Sequence, residues 1–158
     1  MTTIAIDALG NIAADGRRTA GNEIIRDDAE KIKVSHGRIY ALTGCCSLLD
    51  ALISWHHAGA DASKMPTYKG DGGWYLIVFQ ADGMYTYSND VPYSMGDEIK
   101  APMAFGSGQN WAMGAMLAGK SAKEAVEIAC KVDIYSGGQI KVMNIADTLA
   151  PKLKEAAE

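Results

Sequence analysis

The sequence offers little that would suit a membrane, a disulfide framework or a nucleic acid. No stretch approaches the ~18–20 consecutive apolar residues of a membrane-crossing helix. Met1-Thr2-Thr3-Ile4-Ala5-Ile6-Asp7 has neither the basic start nor the apolar centre of a secretion signal, so a cytoplasmic location is expected. Three cysteines, Cys45, Cys46 and Cys130, are too few and too oddly counted for a disulfide set, and the vicinal pair would make only a strained bridge. Reduced thiols are expected. No C-x-x-C pair is present, and His56 and His57 fall about three helical turns from the cysteines, so no metal site and no cofactor are expected. Basic residues are not in excess: 15 Lys and Arg face 19 Asp and Glu, which argues against a protein that grips phosphate backbones. Repeats, low-complexity tracts and charge blocks are also missing.

What remains is an ordinary core-forming chain. Its 158 residues are 48% hydrophobic, enough for one domain over 1–158 with its own core. A chain of this size buries roughly 68–70% of its unfolded surface, so no staple is needed. Short strands are expected at Thr3 to Asp7 and Asn11 to Asp15 around a Leu9-Gly10 turn. Arg38 to Thr43 reads as a buried strand ending at Gly44. Leu48, Leu49, Leu52, Ile53 and Trp55 then recur at helical spacing, predicting a helix from about Ser47 to His57. The Lys69-Gly70-Asp71-Gly72-Gly73 loop precedes Trp74 to Phe79, which Asp82-Gly83 turns into Met84 to Tyr87 as a hairpin.

A small-residue helix follows Gly106-Ser107-Gly108 and ends at Gly119. Ser121 and Glu124 form a capping box for a third helix through Cys130. Ile140 to Ile145 returns as a strand, and the last residues, from 147 or Pro151 to 158, read as a terminal helix or tail. Strands at both ends with helices grouped between favour an α+β arrangement, satisfied by two helix layers around two sheets.

The start of the chain carries the most chemistry. Removal of Met1, which the small second residue favours, makes Thr2 the first residue. It then carries a hydroxyl and a free α-amine, whose ordinary pKa of about 7.7–8.0 suits a base near neutral pH. Nucleophile and base then share one residue.

Thr2-Thr3-Ile4-Ala5, Ala13-Ala14-Asp15-Gly16, Ala29-Glu30-Lys31-Ile32, Gly106-Ser107-Gly108 with Trp111-Ala112, and Asp133-Ile134-Tyr135-Ser136-Gly137-Gly138 together resemble proteasome β-type subunits. They also resemble the HslV peptidase and the proteasome-like proteins of bacteria and phages. The matches fall in family order over about residues 2–145. The resemblance implies an N-terminal nucleophile hydrolase with a four-layer αββα sandwich. It implies Thr2 as nucleophile and base, Lys31 beside its hydroxyl, and Asp15 pairing with and orienting Lys31. Ser107, Asp133 and Ser136 would surround the amine. It further implies a homo-oligomeric ring enclosing its sites, unfolded polypeptide or peptide as substrate, and an ATP-dependent unfoldase as partner.

The oxyanion donor is expected from the Gly44-Cys45-Cys46-Ser47 turn, with the Cys46 amide as candidate and Gly44 as competitor. Here the chain departs from the glycine-rich turn of the family, and Asp50 stands for its aspartate only within a residue or two.

Taken without the resemblance, the same residues also read blandly. Asp15 suits a turn, Lys31 a solvated strand edge, Gly106-Ser107-Gly108 a loop and cap, and Asp133 with Ser136 a capped turn. His56 and His57 read as cationic partners of a helix C-terminus. Trp55, Trp74 and Trp111 read as packing or interface residues, and Arg17-Arg18 as cleft lining or surface charge. Three functions follow: a threonine peptidase, a noncatalytic ring or scaffold subunit of the same fold with Met1 retained, or an amidase acting on a small nonpeptide amide.

Overall fold

The computed structural model describes residues 1–68, 73–90 and 100–155, so positions 69–72 of the glycine-rich loop lie outside it. The first hairpin forms as the pattern requires. Strand β1 (Thr3–Ile6) pairs antiparallel with β2 (Asn11–Ala14) around Leu9-Gly10, where Gly10 takes a φ of 76°. An exposed ribbon follows, β3 (Arg18–Ala20) with β4 (Glu23–Arg26). Next come β5 (Ile32–Ser35) and the seven-residue β6 (Arg38–Gly44).

A tight helical turn over Cys46–Leu48 leads into α1 (Leu49–His57), two residues later than the periodicity predicts. Strands β7 (Trp74–Gln80) and β8 (Gly83–Ser88) form the Asp82-Gly83 hairpin. After β9 (Met103–Gly106) come α2 (Gln109–Leu117) and α3 (Ala122–Val132), the latter opened by the Ser121–Glu124 capping box and two residues longer than expected. The chain closes with β10 (Lys141–Asn144) and α4 (Ile145–Glu155).

The strands form two four-stranded antiparallel sheets, β10-β2-β1-β9 and β5-β6-β7-β8, with the ribbon apart. Alternation along each strand sorts its side chains into three clusters. Ile4, Ile6 and Ile12 of the first sheet meet Ile39, Ala41, Ile77 and Phe79 of the second. The opposite face of β1 and β2, Ala5 and Ala13, packs on Ala112, Ala115, Ala122, Ala125 and Ala129 of α2 and α3. On the second sheet, Tyr40, Leu42, Leu76 and Val78 meet Leu49, Leu52, Ile53 and Trp55 of α1. The alanines let α2 and α3 approach closely, while each buried isoleucine between the sheets contributes roughly 1.5–3 kcal/mol. Among the described residues no helix is long and apolar enough to cross a membrane.

Two expectations need correction. Ile145 begins a helix rather than ending a strand, because the Asn144 side chain caps it by accepting from the Asp147 amide at 3.1 Å. His56 is not a cationic dipole partner: burial, with help from nearby Arg38 and His57, lowers its pKa to about 4, so the ring is neutral. It lies 3.2 Å from the Tyr40 hydroxyl, while His57 stacks on His36 at 3.7 Å. Trp111 stands exposed, unlike buried Trp55 and Trp74.

Candidate active site

The first sheet runs out at the start of β1, and the second sheet delivers a lysine to that same edge. Asp15 follows β2 directly. Its amide donates to the Thr3 carbonyl at 3.2 Å, and its Oδ1 accepts from the Thr3 amide at 2.8 Å. Lys31 precedes β5, where its carbonyl accepts from the Leu42 amide of β6. Its Nζ therefore reaches across from one sheet to the other and meets Asp15 Oδ1 at 2.8 Å.

Both side chains are almost wholly buried, at 1% and 0% exposure. A buried pair of this kind is tolerable only when its remaining hydrogen-bonding capacity is used. Asp15 Oδ2 accepts from the Arg17 and Gly137 amides at 3.1 and 3.0 Å. Lys31 also donates to the Met1 carbonyl at 3.1 Å, the carbonyl of the peptide bond that precedes Thr2.

Thr2 is fully buried beneath Met1. Its Oγ1 is the one buried side-chain polar atom without a hydrogen-bond partner among the described residues. Leaving a buried hydroxyl unpaired costs about 1–3 kcal/mol, so native proteins rarely do it without a functional reason. Burial, and secondarily the Lys31 charge, lower the pKa of the Met1 amine below its ordinary value.

The third side is a fan of hydroxyls on one carboxylate. Ser107, just after β9, and Ser136, in the loop between α3 and β10, each donate to Asp133 Oδ2 at 2.6 Å. Burial alone would raise the Asp133 carboxyl, but the Ser107 and Ser136 hydroxyls and the Tyr135 amide outweigh it and hold the carboxyl below its ordinary range. Each serine has one proton to give. With its own proton on Asp133, Ser136 must accept in its 2.7 Å bond to the Thr3 hydroxyl, so Thr3 is the donor there. The Ser107 hydroxyl also lies 3.4 Å from the Thr2 carbonyl, a longer contact than the one its proton serves.

All six side chains expected at the site, Thr2, Asp15, Lys31, Ser107, Asp133 and Ser136, thus gather at this end of the first sheet. The two candidate oxyanion positions arrive separately. Gly44, at a φ of 87°, and Cys46 line a cleft of about 670 Å³ together with Thr2 and Ser107. Asp50 is not drawn in; it pairs with Lys33 at 2.7 Å on the surface. Arg17 pairs with Asp27 at 2.8 Å beside the site, and Arg18 lines the cleft. Cys130 is no nucleophile candidate, because burial, then the Asp15 charge, push its thiol up to about 11. No group of three or more His, Cys, Asp or Glu side chains among the described residues is placed to hold a metal ion.

Sequence reasoning missed three contributors. Thr3 joins the hydroxyl chain; the alternation that sends Ile4 and Ile6 between the sheets puts Thr3 and Ala5 on the other face, a signal that was readable. Gly106, at a φ of 95°, lies so close to the Thr2 carbonyl that any side chain there would collide with it. Gly108 likewise makes room for the Thr3 hydroxyl.

No protein-family model matches the sequence, and no curated protein matches it. Among solved structures, Thiobacillus denitrificans BPH in complex with epoxomicin superposes with a TM-score of 0.62 at 18% identity, over 92% of this chain and 99% of that one. A second structure of Thiobacillus denitrificans BPH gives a TM-score of 0.62 at 16% identity, over 92% and 98%. At these identities the likeness is one of fold, and in fold the chain is similar to Thiobacillus denitrificans BPH across nearly its whole length.

Proposed function

We propose that this protein is a threonine peptidase of the N-terminal nucleophile hydrolase class, active once Met1 has been released from Thr2. The observation that carries the reading is the unpartnered Thr2 hydroxyl, buried behind a peptide bond whose carbonyl is gripped by Lys31. Loss of Met1 uncovers the hydroxyl toward the cleft and creates an amine on the same residue. The amine takes the hydroxyl proton as Oγ1 attacks a substrate carbonyl. Amides of the turn at Gly44 to Cys46 receive the negative oxygen. The amine then protonates the leaving nitrogen, and water hydrolyses the acyl ester on Thr2. Lys31 opposes protonation of the amine, Asp15 orients Lys31, and the Ser107–Asp133–Ser136 fan holds the amine side of the site.

The fold shared with a protein solved in complex with epoxomicin, a proteasome inhibitor, supports a proteasome-like peptidase. The three stacked side-chain clusters support a four-layer αββα sandwich within one domain. A homo-oligomeric ring, peptide or unfolded polypeptide as substrate, an ATP-dependent unfoldase and a cytoplasmic site of action belong to the same proposal. Trp111 and Leu117 on α2, 54% and 73% exposed, are side chains that a subunit contact would cover.

With Met1 in place the Thr2 nitrogen is an amide and no base exists. The noncatalytic scaffold reading requires that state to persist. Intact-mass measurement on protein from its native host decides between them: loss of one methionine supports the peptidase, and full retention removes it. In trimmed protein, Thr2→Ala abolishes peptide turnover while preserving the circular dichroism spectrum; turnover equal to the unsubstituted protein's rules the mechanism out.

A further inference from the structure

The arginines near the cleft are treated unequally. Arg17 is held by Asp27 at 2.8 Å and Arg26 by Asp28 at 2.7 Å. The side chain of Arg18, between them on β3, has no ion pair and no hydrogen bond among the described residues. It nevertheless stands directly opposite Arg26 across the ribbon. Like charges facing each other on paired strands destabilise the pair. Asp28 relieves only one of these two guanidinium groups.

The placement of Arg18 is also particular. It lines the cleft that contains Thr2 and the Gly44–Cys46 turn, and it is the only charged side chain among the described residues of that wall. Thr19, Thr43, Cys46, Ile25 and Tyr68 are among its other side chains, which are neutral and partly apolar. A positive group at this mouth stands out on a protein with a net charge of -4. A guanidinium presents a planar fork of donors matched to a carboxylate, and Glu30 and Asp50, the carboxylates that share an adjoining cleft with Arg18, are already paired with Lys141 and Lys33.

We infer that the cleft selects peptides carrying an aspartate or glutamate side chain close to the scissile bond, and that Arg18 is the specificity-determining residue. The inference rests on the peptidase reading above and adds the substrate class. The carboxylate completes the one guanidinium of the ribbon left without a partner among the described residues, and it offsets the Arg18–Arg26 repulsion on arrival. An interaction at a partly open cleft of this kind weakens as salt rises.

The test uses trimmed protein and two fluorogenic peptide series, identical except for glutamate or glutamine at each of the three residues before the cleaved bond. The expected result is about a tenfold preference in kcat/KM for glutamate at one position, the order of one charge-assisted hydrogen bond. The preference shrinks at high salt, falls to near unity in Arg18→Gln, and in Arg18→Glu passes to a lysine-bearing peptide. Arg18→Gln retains or raises the melting temperature, since it removes a cross-strand repulsion. Turnover of both series at equal rates, a preference that survives in Arg18→Gln, or a lowered melting temperature in that variant overturns the inference while leaving the peptidase reading intact. Absence of turnover on every peptide by trimmed protein overturns both.

Discussion

Strand β1 begins and ends beside a buried aspartate, and the two are used differently. At its far end Asp7 accepts from the Leu9 and Asn11 amides, the Asn11 side chain and the Ala122 amide, the first of α3. At its near end Asp15 accepts from the Thr3, Arg17 and Gly137 amides and from the Lys31 ammonium. Both carboxylates are saturated by backbone donors. Asp7 is satisfied by neutral partners alone, from the turn, the first residue of β2 and the start of α3. Asp15 uses the same kind of backbone cradle to hold a cation, and that cation faces the peptide bond before an unpaired hydroxyl. One device fixes the fold at one end and, at the other, holds the charge that the proposed peptidase chemistry requires.

The comparison can be broken most directly at Asp15. Asp15→Ala leaves Lys31 buried and unpaired, so a loss of about 3–5 kcal/mol of stability is expected together with loss of turnover. Urea unfolding and peptide assays on the same preparation read both; a variant that unfolds normally and still turns over peptide would erase the distinction. Asp7→Ala strands the buried Ala122 amide without leaving an unpaired charge, and a loss of about 1–3 kcal/mol is expected. Turnover per folded molecule should stay unchanged, because Asp7 lies at the opposite end of β1. A fall in turnover beyond the unfolded fraction would show that the two ends are coupled.

Smaller effects come from pH. Burial would raise the Asp7 carboxyl, but hydrogen bonds from Ala122, Asn11 and Leu9 outweigh it and set its folded value below the ordinary 3.8. Its contribution to stability is therefore complete above that ordinary value and is lost as the pH falls through the depressed one. Acid unfolding curves should show this, and Asp7→Asn should flatten them below pH 3.8. On the site side, the Thr2 amine uncovered by trimming meets the burial and the Lys31 charge that already lower the Met1 amine from 8.0. The rise of kcat/KM with pH should then have its midpoint below 8.0; a midpoint at or above that value breaks the argument from Lys31.

Elements whose signal lies in short local chemistry were legible in the sequence: the Asp82-Gly83 hairpin, the Ser121–Glu124 capping box and the buried run from Arg38 to Gly44. The β3–β4 ribbon was not, because all of β4 is exposed and its Glu-Ile-Ile-Arg shows no inward and outward alternation. Strand β5 places only Ile32 fully in the core, too little for a periodic signal. Pro151 pointed to a late helix start, whereas the start was written in Asn144. The six site side chains were found through the family resemblance; nothing local to Lys31 or Asp15 reveals burial, since that comes from two sheets meeting. The outward face of Thr3 could be read from the alternation of β1, but the close approach of Gly106 to Thr2 depends on the pairing of β1 with β9, which a linear reading does not supply.

Lys31 and Asp15 come from different sheets, so their contact is also a clasp. The isoleucines between the sheets would tolerate a small slide at modest loss, but a 2.8 Å ion pair sealed from water would not. Any loosening that lets the layers part undoes the surroundings of the Thr2 hydroxyl before the greasy interior is exposed. The geometry of this edge is thereby tied to full docking of the two sheets, and a partly docked chain would lack the arrangement on which the proposed peptidase chemistry depends.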